Sequence, residues 1–421
     1  IKSDGKEISL PGPFHSTVPF SQAIKASLGA FIVDRGEEKS VVAGYPWFLD
    51  WGRDSLIFCR ALIELGRTRD AFDILTLFGK FEKDGTLPNM ICCDDARNIE
   101  TSDAPLWFFA CCRQLTQTLS KEVVLTQSIG QRTMIQILKD MASSMINGTP
   151  TGVKADPESM LLYSPAHFTW MDTNFPAGTP RQGYPIEIQA LWCHALQFLS
   201  QVDDLDTQAQ WQKHADTVKR AIMNLFWREN DGFFSDCLHC NGPVDAGHAI
   251  PDDALRPNQL LLITLGVIDA PNIMARVVET CRELLVPGAI RSLADRPLTV
   301  PLFIERNGRH LVNPHAPYAG YYQGDEDTQR KPAYHNGTAW TWQFPVFCEA
   351  WATAFGPSGI PTALAWLGSS LPLMRTGAAG FIPEILDGNF PHTPRGCDAQ
   401  AWGCSEIARV AHKLNRIQNK T

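Results

Sequence analysis

The chain has no long hydrophobic run, no surplus of basic residues and no glycine motif of the nucleotide-binding kind, and each gap removes a class of function. Apolar stretches such as 260–267 are far too short for a bilayer, which takes about 20 apolar residues. Acidic side chains outnumber basic ones 45 to 37, a net charge of −8, whereas nucleic-acid binders usually present a basic face. Neither G-x-G-x-x-G nor a P-loop occurs, so the phosphate cradle of dinucleotide and triphosphate chemistry is missing. Strand-like alternation of useful length is missing as well. CLHC (237–240) has half the spacing of a zinc site, but no second pair accompanies it. Asp325–Asp327 lacks the ligand spacing of a calcium loop and reads as a solvated acidic turn. No metal, cofactor, nucleic acid or membrane is therefore expected among the partners.

Cysteine is present, with 12 residues, but not as a disulfide framework. Cys59, Cys111, Cys112, Cys193, Cys348 and Cys404 sit inside apolar helical stretches, where they read as small reduced hydrophobes. A reducing cytoplasm is the expected location. No signal peptide opens the chain, and residue 1 is Ile. Residues 1–19 are expected to be a linker from an upstream domain, with one catalytic domain over 20–421.

What the sequence does contain is helix, about twelve segments by apolar spacing. They fall near 20–34, 54–66, 68–80, 104–119, 124–147, 187–201, 206–227, 257–267, 271–285, 338–354, 358–373 and 400–416. The even-numbered members are apolar nearly all round, as in SLIFCRALIELG and APLWFFACCRQL, and such helices are buried. Odd-numbered members such as TQAQWQKHADTVKRAIMNLFW carry a charged face and belong on the surface. Links from even to odd members are short. Links from odd to even are long: 35–53, 81–103, 148–186, 228–256, 286–337 and 374–399. Alternating inner and outer helices make six hairpins in a ring, an all-α (α/α)6 toroid. Its six long loops share the rim that receives the inner helices' N-termini. Long ordered loops in a compact domain are usually functional.

The rim loops carry acids beside aromatics. GYPWFLDWGRDS (44–55) sets Arg53 and Asp54 beside Trp47 and Trp51, a donor–acceptor couple suited to vicinal hydroxyls with indoles to stack on a ring. Helix capping is the bland alternative for Asp54, and it explains Asp103 of the second loop equally well. FTWMDTNFPAGTPR (168–181) holds Asp172 beside Trp170 in a proline-broken loop. A carboxyl against an apolar wall can be kept protonated and made a proton donor. Glu187 lies in the first turn of the next inner helix, where it would also suit the positive helix end. His335 and Asn336 offer polar groups before the fifth inner helix, with Trp340 and Trp342 behind. GFIPEILDG (380–388) places Glu384 after Pro383, and Trp402 follows in RGCDAQAW (395–402). Two carboxylates from different loops, Asp172 and Glu384, meeting beside indoles are the equipment of glycoside hydrolysis. Asp50, Asp54, Asp103, Glu187 and Asp387 keep that assignment open on chemistry alone.

GYPWFLDWGRDS, WMDTNFPAGTPRQGYPIEIQALW, YHNGTAWTW and FIPEILDG with RGCDAQAW together resemble the amylo-α-1,6-glucosidase domain of glycogen debranching enzymes, in order from about residue 20 to 416. The resemblance implies an (α/α)6 barrel that removes single α-1,6-linked glucose stubs from glycogen or a similar α-glucan, with inversion. It assigns the general acid to Asp172 and the general base to Glu384, and the grip on the terminal glucose to Arg53 and Asp54. Trp170, Trp342 and Trp402 are expected to wall the pocket. An α-1,4-glucosidase, an isomalto-oligosaccharide hydrolase, a phosphorylase and a silent glucan-binding module are the rival readings. Ser55 stands where the related pattern often has Thr, the acidic turn 325–327 departs from it, and the family's usual upstream domain is not in these residues.

Overall fold

Apolar residues on every side leave a helix no face to turn to water, and the helices built that way here lie innermost. The computed structural model describes residues 2–3, 6–7, 20–92, 95–173, 178–243 and 245–419. Among them are fourteen α-helices: α1 (Phe20–Ser27), α2 (Gly52–Glu64), α3 (Thr68–Lys80), α4 (Asp103–Thr118), α5 (Lys121–Leu125), α6 (Met134–Asn147), α7 (Ile186–Val202), α8 (Leu205–Leu225), α9 (Leu260–Thr264), α10 (Pro271–Cys281), α11 (Lys331–Tyr334), α12 (Gln343–Phe355), α13 (Ile360–Gly368) and α14 (Ala401–Gln418). Residues Gly52 to Ile63 of α2 are buried without a break, and so are Asp103 to Cys112 of α4. By contrast α8 buries only a stripe, Trp211, Ala215, Val218, Ala221 and Ile222, at helical spacing.

The inner helices close a ring. α2 packs on α4, α4 on α7, α7 on α9, α9 on α12, α12 on α14, and α14 returns to α2. Outside them α3 lies on α2, α6 and α8 on α7, α10 and α13 on α12, and α1 on α14. This is the (α/α)6 toroid. Burial of each Phe or Leu between the two layers contributes roughly 1.5–3 kcal/mol, so the double ring is its own hydrophobic core.

The six long loops are stitched to one another in the same cyclic order, by pieces of strand too short to show a period in the sequence. Asp50–Trp51 pairs with Ile91–Met90, joining loops one and two. Ser102 N–H donates to Phe168 O at 2.7 Å, joining two and three. Gly183–Pro185 pairs with Cys237–His239, and Ala294 N–H donates to Leu255 O, which carries the chain of contacts on to loop five. Ala339–Trp340 pairs with Ile385–Leu386, and Ala399–Gln400 pairs with Gly44–Tyr45, closing the circle at loop one. Gly52 marks how tightly these loops meet: a Cβ there would lie 2.2 Å from Pro88 O.

Several boundaries differ from the periodicity: 257–267 is α-helix only over Leu260–Thr264 and 358–373 only over Ile360–Gly368, with 3-10 turns beside them, and three more have a local cause. The 124–147 helix is two, because Ser128–Ile129 and Arg132–Thr133 form a hairpin about Gly130, and a capping box between Thr133 and Gln136 starts α6 afresh. The helix expected from 338 begins at Gln343, since Ala339 and Trp340 are spent in the sheet. The 20–34 span ends as helix at Phe31 and continues as a hairpin, Ile32–Arg35 with Glu38–Val41. Of the expected linker over 1–19, only Lys2–Ser3 and Lys6–Glu7 fall among the described residues, paired as a short hairpin.

Candidate active site

Two cavities meet on the long-loop rim. A pocket of about 140 Å³ ends against Trp170, Trp340, Trp402, Asp54 and Gln400. A cleft of about 690 Å³ spreads outward past Trp47, Asn89, Asn98, His167, Tyr322 and Arg330. Phe48, Trp51, Asp172, Tyr334 and Glu384 border both. These five form the neck, and both candidate carboxylates are in it.

Asp172 is partly exposed, at 29% of its side chain, while the Arg53 beside it is buried. Arg53 Nη1 donates to Asp172 Oδ2 at 3.3 Å, Nη2 donates to Thr169 O at 3.1 Å, and Nε donates to Asp103 Oδ2 at 2.6 Å. Burial raises the Asp172 pKa, the Arg53 charge opposes it, and the Asp103 charge adds to the rise. Glu384 is more enclosed. The Tyr334 hydroxyl donates to its Oε1 through a very short hydrogen bond, and Cys397 N–H donates to Oε2 at 2.8 Å. Burial pushes its pKa up to about 7 against both donors, with the Asp172 charge adding to the rise. Asp54 is pushed up to about 8 by burial, against Arg53, with Asp172 and Glu384 reinforcing the shift. Its Oδ1 accepts from Gln400 Nε2 at 3.4 Å. A pocket whose acids sit near neutrality can both give and take protons.

The walls are aromatic and interlocked. Trp170 meets Trp340, Trp342 and Trp402 edge-on, with ring centroids 5.0, 5.2 and 6.3 Å away. Its indole Nε1 donates to Asn258 Oδ1 at 2.7 Å. Trp342 stacks on Trp402 at 5.0 Å but does not line the pocket, so it backs the wall rather than forming it. Trp47 is 71% exposed and belongs to the cleft alone, whereas Trp51 borders both spaces.

Besides Trp47 and Trp342, three expected substrate contacts are not brought to the pocket. Glu187 is buried with both oxygens held by Arg181, at 2.5 and 2.6 Å, and Arg181 in turn donates to Asp236 Oδ2 at 2.6 Å. Asp236 Oδ1 accepts from Asn258, the residue that fixes Trp170, so this chain of partners supports the wall from behind. His335 is fully buried, stacked on Trp340, with Nδ1 2.7 Å from Thr173 Oγ1. Asn336 accepts from Arg256 Nη2 at 2.8 Å and donates to Pro332 O at 2.9 Å, facing a separate cavity. All three brace the loops that carry the site. Residues 174–177, in the loop of Asp172, lie outside the described residues.

Sequence reasoning missed Tyr334, Phe48 and Gln400. Tyr334 had a signal, since it opens the YHNGTAWTW motif, but a Tyr beside a His draws less notice than the His itself. The acidic turn proves to be local structure: Asp325 Oδ1 accepts from Thr328 N–H and Oγ1–H, and Asp327 pairs with Lys331. It leads directly into α11, which ends at Tyr334.

A toroid of helix hairpins whose loop rim holds a ring-sized aromatic pocket with two carboxylates at its neck is a glycoside hydrolase. Solved structures agree on the fold. A glycosidase superposes with a TM-score of 0.61 at 11% identity, covering 94% of this chain and 97% of that one, and another was solved in complex with glucose. The GH63 mannosylglycerate hydrolase from Thermus thermophilus, in complex with Tris, gives a TM-score of 0.59 at 13% identity, over 93% and 99% of the two chains. No curated protein matches the sequence. The amylo-α-1,6-glucosidase family model matches residues 25–409, and the chain belongs to that family. Among the described residues no helix is long and apolar enough to cross a membrane.

Proposed function

We propose that the chain is an exo-acting, inverting α-glucosidase that releases glucose from α-1,6-linked stubs on glycogen or a related α-glucan. The observation that carries this reading is the neck: a one-ring pocket opens past Asp172 and Glu384 into a cleft wide enough for a polymer. A terminal glucose enters the pocket and the rest of the glucan stays in the cleft. Asp172 gives its proton to the glycosidic oxygen as the bond to C1 breaks. Glu384, oriented by Tyr334 and the Cys397 amide, takes a proton from the water whose oxygen bonds to C1 from the other side. Inversion requires the two carboxyl groups to stand roughly 6.5–9.5 Å apart. Exchange with solvent returns the proton from Glu384 to Asp172. Asp54, neutral near pH 7, is placed to hydrogen-bond a sugar hydroxyl. The six helix-buried cysteines singled out in the sequence are free thiols, which supports a cytoplasmic location.

Proton NMR of the first anomer released tests the reading. β-Glucose from isomaltose or phosphorylase-limit glycogen, in buffer without phosphate, is the expected result. Release of α-glucose, or faster turnover of maltose than of the α-1,6 substrates, would overturn the mechanism or the linkage respectively. Asp172→Asn and Glu384→Gln should each lose nearly all turnover of these glycosides, and near-full activity in Glu384→Gln would remove the base assignment.

A further inference from the structure

The Arg53–Asp103 pair is more deeply enclosed than any sugar contact needs to be. Both side chains are buried, and Asp103 belongs to a different inner helix from Arg53, α4 against α2. Asp103 is held on its other side, where Thr101 Oγ1–H donates to Oδ1 at 2.7 Å. Thr101 is fixed in turn by accepting from Ala104 N–H at 3.3 Å. With Nε held by Asp103 and Nη2 held by Thr169 O, the guanidinium plane has no freedom, and Nη1 is left facing Asp172 Oδ2.

We propose that Asp103 is a positioning residue for the general acid: by locking Arg53 it makes Asp172 Oδ2 the acceptor oxygen and so leaves the proton on Oδ1, the oxygen that must reach the leaving group. The proposal rests on the reading of Asp172 as the acid. A protonated carboxyl has one oxygen that donates and one that only accepts. A guanidinium has donors alone, so whichever oxygen faces Nη1 cannot carry the proton toward it. Without the lock, Arg53 can swing and the carboxyl can turn, which places the proton on either oxygen. Other charged or titratable groups around Asp172 are Asp54 on α2, Glu384 of loop six and Tyr334 at the end of α11. Of these and Arg53, only Arg53 donates a hydrogen bond to Asp172 among the described residues.

The test uses the leaving group. α-Glucosyl fluoride expels fluoride without a proton from a carboxylic acid, and needs only the pocket, the water and Glu384. A defect in the acid therefore shows on glycosides and vanishes on the fluoride. Asp103→Ala should lower kcat/KM on an α-1,6-glucoside by about 10²-fold and leave turnover of the fluoride near the parent rate. The fluoride rate also reports that the variant is folded. Thr101→Val, which keeps both charges, should show the same selectivity with a smaller loss. Equal losses on the two substrates, or no loss on the glucoside, would overturn the proposal. Asp172→Asn serves as the reference: if it too loses both substrates equally, the acid assignment itself is wrong. If Asp172→Asn is selective and Asp103→Ala is not, only the positioning role falls.

Discussion

Tyr334→Phe removes one hydroxyl from Glu384 and changes almost nothing else, because the ring stays packed against Trp340, His335 and Tyr322 at 4.9, 4.7 and 5.3 Å. The lost interaction is a hydrogen bond to an ionised carboxylate, a kind that contributes about 1.5–3 kcal/mol. At 1.36 kcal/mol per unit this corresponds to about 1–2 pKa units. The donor favours the charged form, so its removal raises the Glu384 pKa from about 7 toward about 8–9. Glu384 acts as a base only when ionised, and activity on the acid side falls as it protonates. The assay is kcat/KM for α-glucosyl fluoride from pH 5 to 9.5, because that substrate does not require protonated Asp172 and isolates the base. The parent should show a single acid limb near pH 7, and the variant the same limb moved up by about one unit or more. Near pH 7 the variant should be several-fold slower, and above both pKa values it should recover. Burial and Glu384 hold the Tyr334 phenol well above its ordinary pKa, so it remains a donor across this range. An unmoved limb with a uniform loss of rate would refute the reasoning and reduce Tyr334 to packing.

Glu384→Gln should be inactive yet more stable than the parent at pH 8. The folded-state pKa of about 7 lies above the ordinary 4.5, so Glu384 contributes full stability below pH 4.5 and loses it as pH rises through 7. Glutamine does not titrate and should gain about 3 kcal/mol in urea unfolding at pH 8, with little gain at pH 4; parallel curves at both pH values would count against the shift. In Gly396→Ala a Cβ would fall 2.2 Å from Glu384 Oε2 at a φ of +69°, so kcat/KM should drop by about 10²-fold for about 1–2 kcal/mol of stability, and full activity would show that the base tolerates displacement. Glu187→Gln should cost about 1–3 kcal/mol in unfolding, because Arg181 loses one of its two carboxylate partners and keeps Asp236; unchanged stability with a raised KM would instead make Glu187 a substrate contact.

The ring of helices was legible because burial marks an inner helix on all sides, and six of the twelve segments carry that mark in alternation with six that show a charged face. α2 and α4 are apolar on all sides, and no alternative packing would bury them. Short features left no such mark. The two- and three-residue strands that tie the loops together, such as Ala339–Trp340, are below the length at which a period of two can be seen. They nevertheless decide where Glu384 sits, because Ile385 is paired with Trp340 and Arg395 on either side of it.

The site was legible as a set of acids beside indoles, and what sequence could not give was which acids the fold neutralises. Each rim carboxylate meets a different fate. Glu187 gives both oxygens to Arg181, Asp103 is taken by Arg53 and Thr101, Asp50 accepts from Arg35, and Asp387 is shared between Arg395 and the Tyr322 amide. Asp54, Asp172 and Glu384 remain. Among the described residues Glu384 accepts from the neutral Tyr334 hydroxyl and Cys397 amide, Asp54 from the Gln400 amide, and Asp172 meets its countercharge at 3.3 Å in a guanidinium already engaged elsewhere. A carboxyl group enclosed without a full countercharge is destabilised as an anion, and that is the condition for trading protons near neutral pH. The cations that silence the other acids follow no fixed spacing: Arg53 lies 50 residues from Asp103, and Arg181 six from Glu187 across a broken loop. Proximity in sequence therefore marks a cluster of acids, while the distribution of arginines in space selects the ones free to react.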